Sequence, residues 1–586
     1  MSASDFTIQA GTHGFVGTTA TGKTSHLQRL WSSLPGTDRV LVCVESPETQ
    51  VQWHNRTGAT PHVRTWAGWV RHWLSEYWEL LERWRCGQGF APVTPQFLSP
   101  AGCYAGFVQL LMEEPELETA FARMNRTRPQ LARQLQLYHE AMHAHRLDIE
   151  DATERTGVFA RPLGTLLQLY RQKGLSRGKL DTGLQLDLFE QGLLGEPDFC
   201  GAVRERFPVW LWDDLHRSNP TGRALLRAFK DQVVLYVTCE RDPTTLLESL
   251  DPVSTQSLGA MDHAWEALAR ALPELLRGRA VTFPAPQIRL FTHRPEMWQG
   301  ALDLVEMWTT TGSAQNIAVV LPEWDTSIRH FLVTGLEARG IPVACLQLVG
   351  GLQGEWRWLA TLLKLVHGEI PSVYALTEFY EFGLELTPIA ALTHADPDPD
   401  NLPPSTPAAL RRFRDWLEGV DTRAHFVELW QSFWSACRIE PEPGAFSVAR
   451  EFIGFGLKMT DFFAALQSGV ISASPVLEPD KGVCLGTAAD FNRLHIHATH
   501  QLWLDVTSTD WFRTERQLLY HPVDFGPNAP EYWSPTEEEA YQVARTCAQL
   551  QGCLRRLSGE LVLFAASLDR SGTAQQGRLG LLLGGT

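Results

Sequence analysis

The residues with the clearest capacity for chemistry form one run near the N-terminus, Gly17-Thr18-Thr19-Ala20-Thr21-Gly22-Lys23-Thr24. This run matches the phosphate-binding pattern G-x-x-x-x-G-K-[S/T] at every fixed position. The two glycines allow the backbone to curl so that successive N–H groups point at phosphate oxygens. The Lys23 ammonium would reach the β- and γ-phosphates, and the Thr24 hydroxyl is a hard oxygen ligand suited to Mg²⁺. The predicted nucleotide-binding residues are Gly17, Thr18, Thr19, Ala20, Thr21, Gly22, Lys23, Thr24 and Ser25.

The sequence on either side of this loop supports the prediction. Gly14-Phe15-Val16 is an apolar piece typical of the end of a strand, and residues 25–31 have the pattern of a helix start. A helix that begins at the loop would point the positive end of its dipole at a bound anion. The competing interpretation is a chance match in a Gly/Thr-rich loop, but the order of strand, loop and helix favours the phosphate site.

A second stretch, Val209-Trp210-Leu211-Trp212-Asp213-Asp214, is an apolar run that ends in two acids. Phosphate-loop ATPases present their Mg²⁺-binding Asp in this way, followed by an acid that activates water. We therefore predict that Asp213 and Thr24 bind Mg²⁺ and that Asp214 orients the attacking water. Alone the run is a weak signal; after a phosphate loop it predicts ATP and Mg²⁺ as cofactors.

Composition sets the outer limits. A chain of 586 residues is expected to hold three or four domains, and 44% hydrophobic with 20% charged residues is typical of a globular protein. No apolar run is as long as a membrane span, and the first residues lack the features of a signal peptide. Ten scattered cysteines without a C-x-x-C pair suggest reduced thiols and a cytoplasmic protein. The formal charge of −16 argues against indiscriminate coating of nucleic acid, although a local basic groove stays compatible with it.

The order of apolar runs predicts an α/β fold. Short strand-like runs at 39–44 and 231–238 alternate with amphipathic helices, which is typical of parallel sheets. A second alternation begins near Ile288, while residues 95–195 and 366–475 have helical patterns. We predict two parallel-sheet domains, each with a helical insertion.

Two histidine groups are candidate metal ligands. His139-Glu140-Ala141-Met142-His143 matches the zinc-protease pattern H-E-x-x-H, which on a helix places both histidines on one face. No third ligand follows at a recognised spacing, so we favour a solvated helix face. His495, His497 and His500 lack cysteine or acid partners at strand edges and are interpreted as structural.

The arrangement resembles superfamily 1 DNA helicases of the UvrD/Rep and RecB-like group, over residues 10–570. Gly17 to Thr24 match the nucleotide loop of that family, and Asp213-Asp214-Leu215-His216 occupies the place of its D-E-x-Q motif. Thr65-Trp66-Ala67-Gly68-Trp69 looks like its T-F-H-S-F segment, so the resemblance implies that Thr65, Trp66 and Trp69 contact single-stranded DNA. Arg556 is similarly placed to the arginine that touches the γ-phosphate, and Arg329 fits another basic position.

The resemblance also implies a division of the chain. Residues 1–90 and 196–282 would form a first RecA-like, ATP-binding domain of the P-loop NTPase class, with 91–195 as its helical insertion. Residues 283–365 and 476–586 would form a second RecA-like domain, with 366–475 as its insertion.

Several motifs of the family are altered. Asp214 stands where the catalytic Glu belongs, and the glutamine expected near residues 237–242 is absent. Pro322 replaces an expected arginine, and residues 487–495 keep little of the fifth motif beyond Thr487 and Leu494. In the family these parts couple DNA binding to ATP hydrolysis.

Three functions remain open from the sequence. The first is an ATP-dependent helicase or translocase on single-stranded DNA in repair or recombination. The second is a helicase-derived, ATP-binding scaffold within a repair or recombination complex, held by a protein partner. The third, an unrelated phosphate-loop kinase or GTPase, leaves the second α/β unit unexplained and lacks the guanine-recognition pattern N-K-x-D.

Overall fold

The computed structural model describes residues 11–81, 94–240, 244–258, 265–312, 316–346, 482–513 and 534–583, and separate short segments between 361 and 461 together with residue 525. Single positions within these ranges (19, 35, 59, 155, 325 and 570) are not described. Thr19 and the side chain of Arg329, both named above, therefore lie outside the described part, as does much of the predicted insertion 366–475.

The described strands are numbered in chain order. They are β1 Gly11–Val16, β2 Val40–Val44, β3 Val63–Thr65, β4 Gln96–Phe97, β5 Lys179–Leu180, β6 Val209–Trp212, β7 Val234–Cys239, β8 Ser254–Ser257, β9 Gln287–Phe291, β10 Asn316–Leu321, β11 Val343–Cys345, β12 Gly482–Thr487, β13 Ala498–Trp503 and β14 Leu557–Ala566. Two sheets of six strands contain all but β4 and β5, which pair with each other, and every pairing is parallel.

Helices cover both sheets. Those in the first part of the chain are α1 Lys23–Ser33, α2 Pro47–Thr57, α3 Trp66–Glu76, Pro100–Glu113, Pro115–Ala120, Arg128–Ala144, Ile149–Glu154, Ala160–Arg177, Thr182–Leu188, Pro197–Arg206, Pro220–Phe229 and Thr244–Glu248. Those that follow are Glu266–Leu276, Arg294–Thr310, Thr326–Glu337, Val373–Glu378, Ala408–Gly419, Phe426–Cys437, Ala488–Arg493 and Pro535–Arg555.

The first sheet has the order β3-β2-β6-β7-β1-β8. Its central strands are buried along their whole length, as expected for a parallel sheet covered on both faces. Val40, Val42 and Val44 pack into one hydrophobic cluster, and Leu41 and Cys43 pack into another on the opposite face. This alternation follows from the two-residue period of a strand.

The register of this sheet aligns the ends of four strands. Trp212 of β6 pairs with Cys43 of β2 and Val237 of β7, and Val16 of β1 pairs with Cys239 of β7. The segments that follow these strands therefore meet at one edge. The loop at Gly17 and the acids after Trp212 are among them.

The second sheet has the order β11-β12-β10-β13-β14-β9, with a hydrophobic cluster on each face. The helix Glu266–Leu276 lies within the predicted first domain, 196–282, but it packs in the same cluster as the helix Pro535–Arg555 of the second sheet.

The two six-stranded sheets, both parallel and flanked by helices, confirm the prediction of an α/β fold with two parallel sheets.

The chain between β4 and β6 is mainly helical and contains the short strand β5. Its core is continuous with described residues of the later helical segment, since the Tyr104 and Phe452 rings lie 6.3 Å apart and the Lys179 ammonium lies 3.7 Å from the Phe455 ring centre. None of the described cysteines forms a disulfide. Among the described helices, none is both long enough and apolar enough to cross a membrane.

Trp69 of α3 provides a direct test of this core. Its ring is buried, stacks on Trp73 at 5.3 Å and donates a hydrogen bond to the Val42 carbonyl at 2.9 Å. We expect Trp69→Ala to lower the free energy of unfolding by about 3–5 kcal/mol, the usual cost of removing a buried Trp. Urea denaturation measures this cost. Leu290→Ala, which removes a side chain from a residue that is 68% exposed, is the matched control and is expected to have little effect; equal costs would show that Trp69 is not part of the core.

Candidate functional site

The loop after β1 has the curled backbone that its sequence predicts. Ala20 and Gly22 both adopt left-handed conformations, with φ of 64° and 77°. The Thr21 hydroxyl donates to the Thr18 carbonyl at 2.9 Å, which closes the curl. Helix α1 begins directly after Gly22, and no side chain caps it. Its first N–H groups are therefore available to an acceptor.

Lys23 lies across this loop. Its side chain is buried, and the ammonium donates to the carbonyls of Gly17 and Thr18, both at 3.1 Å. Because its hydrogen-bond acceptors are neutral carbonyls, the Lys23 charge acts on nearby Asp214 and would act on an anion bound at the loop. Lys23 thus gives the loop a fixed positive charge.

The paired acids follow β6 at the same edge. The Asp213 carboxylate is buried and accepts hydrogen bonds from the Thr238 hydroxyl at 2.7 Å and from the Thr24 hydroxyl. The Thr238 oxygen also accepts from the backbone N–H of Asp214 at 2.7 Å. Thr238, on the neighbouring strand β7, therefore ties both acids to the sheet. Thr24 and Asp213 meet as predicted, and their hard oxygen atoms fit a Mg²⁺ ligand set.

The two acids differ in their protonation. Burial, together with the charge of Asp214, raises the pKa of Asp213 to about 7. Burial also acts on Asp214, but the nearby charges of Lys23 and His216 hold the pKa of Asp214 below its ordinary value. Near neutral pH Asp214 is consequently the ionised acid, and a cation beside Asp213 would displace a proton.

Arg556 reaches the same place from the second sheet. It follows the helix Pro535–Arg555 and is buried. Its guanidinium donates to the Asn492 side-chain oxygen at 2.5 Å and to the Gly552 carbonyl at 3.2 Å, and it lies 3.2 Å from Nδ1 of His495. Arg556 was predicted from the sequence as a site residue, whereas these partners were not.

Helix α2 makes the contacts between the two sheets at this point. Glu48 pairs with Arg493 at 3.0 Å, and Gln52 donates to the Leu494 carbonyl at 3.1 Å. Thr49 lies 3.4 Å from Nε2 of His495. The first turns of α2 thus face the segment that follows the helix Ala488–Arg493.

A cleft of about 490 Å³ lies between the two halves. This volume is within the range of small-molecule sites. The first half lines it with charged residues of both signs and with hydroxyl groups, and the second half adds polar and basic residues: Lys23, Thr24, Ser25, Asp214, Arg217 and Glu240 from the first, Asn316, His495 and Arg556 from the second. Ala20 and Gly22 of the loop also line it. Such a lining suits an anion that is bound together with a metal cation.

Among the described residues, one group has the spacing of a metal site: Glu45, Asp214 and His495, whose ligand atoms lie within 4.8 Å of one another. Each of the outer two already has a partner, because Glu45 pairs with Arg217 and His495 contacts Arg556. We keep Thr24 and Asp213, whose side-chain oxygen atoms are in contact beside the loop, as the candidate pair for Mg²⁺.

The predicted DNA-contacting residues have structural roles. The Thr65 hydroxyl caps α3 by accepting from the Gly68 N–H at 3.1 Å. The half-buried Trp66 ring packs on Trp73, Phe189 and Trp212. For Trp69 the expectation is corrected, because its ring is enclosed and has no face for a base. The helical spacing of its tryptophans marked the core rather than a surface.

The H-E-x-x-H segment is also part of the core. His139 is buried and lies 3.2 Å from the Asp181 carboxylate, which accepts from Tyr170 at 2.6 Å. Burial lowers the pKa of His143 well below its ordinary value. The sequence predicted that this helix face is solvated, but it is packed in the core. Among the described residues, this segment contains no group of side chains with the spacing of a metal site.

No protein-family model matches the sequence, and no curated protein matches it. The assignment of a function consequently rests on the geometry of the cleft. Sequence reasoning missed Thr238, Arg217 and His495 as site residues. Each of the three lies at the end of a strand or helix, or just after one. That position was the only feature of the sequence that could have indicated a role in the site.

Gly17 tests the tightness of the loop. A Cβ placed on Gly17 would lie 2.3 Å from the Thr21 hydroxyl oxygen. We expect Gly17→Ala to lower the free energy of unfolding by about 1–3 kcal/mol, as overpacking does. The cost is expected to shrink in a Thr21→Ala background, where the clash is absent. Urea titration of the four variants measures the difference, and an unchanged cost in that background would contradict the predicted contact.

Thr238 tests the anchoring of the acids. Thr238→Val leaves the Asp213 carboxylate and the Asp214 N–H without this partner, at a cost of about 1–3 kcal/mol. The pKa of Asp213 in the folded chain, about 7, already lies above its ordinary 3.8, so its ionisation destabilises the fold as pH rises through that interval. Loss of the hydroxyl raises this pKa further.

The stability gap between wild type and Thr238→Val is therefore expected to be wider at pH 8 than at pH 5. Urea midpoints at the two pH values measure it, and Thr238→Ser, which keeps the hydroxyl, is the control. A gap of equal size at both pH values would show that the hydroxyl does not stabilise the ionised carboxylate.

Proposed function

We propose that the chain binds ATP with Mg²⁺ in the cleft between its two sheets and acts as a superfamily 1 helicase-like protein on single-stranded DNA. The observation that carries this proposal is that residues of three separate motifs line the same cleft. Lys23, Asp214 and Arg556 are far apart in the sequence, yet they line one cleft. Each belongs to a motif that the family resemblance selects.

The fold is consistent with this proposal at a finer level. Two parallel six-stranded sheets with a cleft between them correspond to the paired RecA-like domains that the resemblance implies. In open parallel sheets, ligands bind outside the carboxyl ends of the strands. The loop at Gly17 and the acids at Asp213 and Asp214 occupy that position.

The proposed roles follow from charge and position. The N–H groups at the start of α1 and the Lys23 ammonium would bind the phosphates. Thr24 and Asp213 would hold Mg²⁺, which shields phosphate charge when bound. Ionised Asp214 would orient and deprotonate water, and Arg556 would stabilise the charge that develops on the transferred phosphoryl group.

Two observations favour a second candidate, the ATP-binding scaffold. Asp214 is one methylene shorter than the Glu of the family, and Trp69 is enclosed where the family presents a DNA-contacting ring. Both differences weaken turnover and its coupling to DNA without affecting the phosphate loop. The candidate scaffold would use ATP as a ligand that holds the two halves together.

ATP hydrolysis by the purified chain, with and without single-stranded DNA, separates the two candidates. We expect ATP with Mg²⁺ to raise the melting temperature, and Lys23→Ala to abolish that rise, because bound ligand stabilises only the folded state. Turnover that DNA accelerates supports the motor. A rise without turnover supports the scaffold, and no rise in wild type contradicts ATP binding altogether.

Asp214→Glu provides the matched variant. If reach limits the attacking water, the added methylene increases turnover while the nucleotide-dependent rise in melting temperature stays as in wild type. Asp214→Asn has the same length as Asp214 but no base, so it is expected to remove any turnover.

A further inference from the structure

His495 lies between the two halves and contacts both. Its Nδ1 is 3.2 Å from Nη2 of Arg556, and its Nε2 is 3.4 Å from the Thr49 hydroxyl. Thr49 belongs to α2 of the first sheet, whereas Arg556 follows the long helix of the second. A single imidazole thus connects the arginine of the cleft to the opposite half.

The chemistry of these contacts fixes the state of the ring. A guanidinium only donates hydrogen bonds, so Nδ1 of His495 must be the acceptor and carries no proton. Nε2 then carries the proton and donates to Thr49. Consistently, burial and the charge of Arg556 lower the pKa of His495 to about 4, so the ring is neutral near pH 7.

The backbone places the ring at some cost. His495 has a φ of 53°, in the left-handed region that residues with a Cβ seldom adopt. Such a conformation persists where surrounding contacts impose it. Here the neighbouring Leu494 carbonyl accepts from Gln52 of α2, so the same short segment is held to the first half by two contacts.

Arg556 is held by three acceptors, the Asn492 side chain, the Gly552 carbonyl and His495. Asn492 and Gly552 belong to the second half alone. Only the acceptor from His495 is itself joined to the first half, through Thr49. Through this residue, contact between the halves contributes to the place of the guanidinium in the cleft.

We propose that His495 is a positioning residue, which places Arg556 for the terminal phosphate of the nucleotide when the two halves are in contact. This inference rests on the proposed ATP site. In this proposal, the linked contacts Thr49–His495–Arg556 discriminate between ATP and ADP, because only ATP carries the phosphate that Arg556 would contact.

Equilibrium binding of ATP and ADP, measured with Mg²⁺ on the full chain, tests the proposal without requiring turnover. We expect Arg556→Ala to reduce the preference for ATP over ADP by about tenfold, the effect of one charge-assisted hydrogen bond of about 1.4 kcal/mol. His495→Ala is expected to reduce it to a similar extent, and the double variant no further. His495→Gln, whose amide both accepts and donates, is expected to restore most of the preference.

Two further variants separate positioning from general loosening. Thr49→Val removes only the hydroxyl that contacts His495, and it is also expected to reduce the preference for ATP over ADP. Glu48→Gln weakens the neighbouring ion pair with Arg493 between the two halves but does not alter the contacts of Arg556. This variant is expected to retain the preference for ATP over ADP. Melting temperatures of all variants show whether each is folded.

The outcomes are distinguishable. If wild type prefers ATP but His495→Ala and Arg556→Ala act additively, or if Glu48→Gln loses the preference equally, the positioning role is overturned and the ATP site stands. If wild type and Lys23→Ala bind neither nucleotide, the proposed function fails, and this inference fails with it.

Discussion

The parallel register of the first sheet is the constraint on which the candidate site depends. Because β1, β2, β6 and β7 end at one edge, the segments after them are brought within hydrogen-bond distance although they come from distant parts of the chain. The clearest consequence is Thr238, on β7, which contacts Asp213 and Asp214 after β6. A slip of one residue would turn every side chain of a strand to the other face and separate these groups.

This arrangement places ionisable side chains at buried positions, where the loss of water disfavours their charged forms. Burial at the end of the strand, together with the charge of Asp214, raises the pKa of Asp213 to about 7, whereas the charge of Lys23 helps to keep Asp214 ionised. Among the described groups, Lys23 in turn donates hydrogen bonds to the Gly17 and Thr18 carbonyls of its own loop. A group of charges that compensate one another incompletely is typical of functional sites rather than of cores. A polyanion bound with a cation would complete the compensation.

The sequence predicted what local pattern determines. The loop at Gly17, the acids after β6 and the alternation of strands and helices depend on neighbouring residues, and the predicted α/β fold with two parallel sheets is confirmed. The DNA contact predicted for Trp69 rested on the family resemblance alone, and its ring is instead buried, as helical spacing of aromatic residues favours. The contact of His495 with Arg556 joins residues 61 positions apart, and no local pattern encodes it.

The second sheet bears on whether the cleft hydrolyses ATP or only binds it. The proposed binding of ATP and Mg²⁺ would use the loop, Thr24 and Asp213, all of which belong to the first half. In the proposed reaction, Arg556 would also stabilise the charge on the transferred phosphoryl group, and its neighbour His495 contacts α2 of the first half. In a motor, nucleotide would make and break this contact in each cycle. In a scaffold, the same contact would stay closed, and ATP would act as a permanent link between the two sheets.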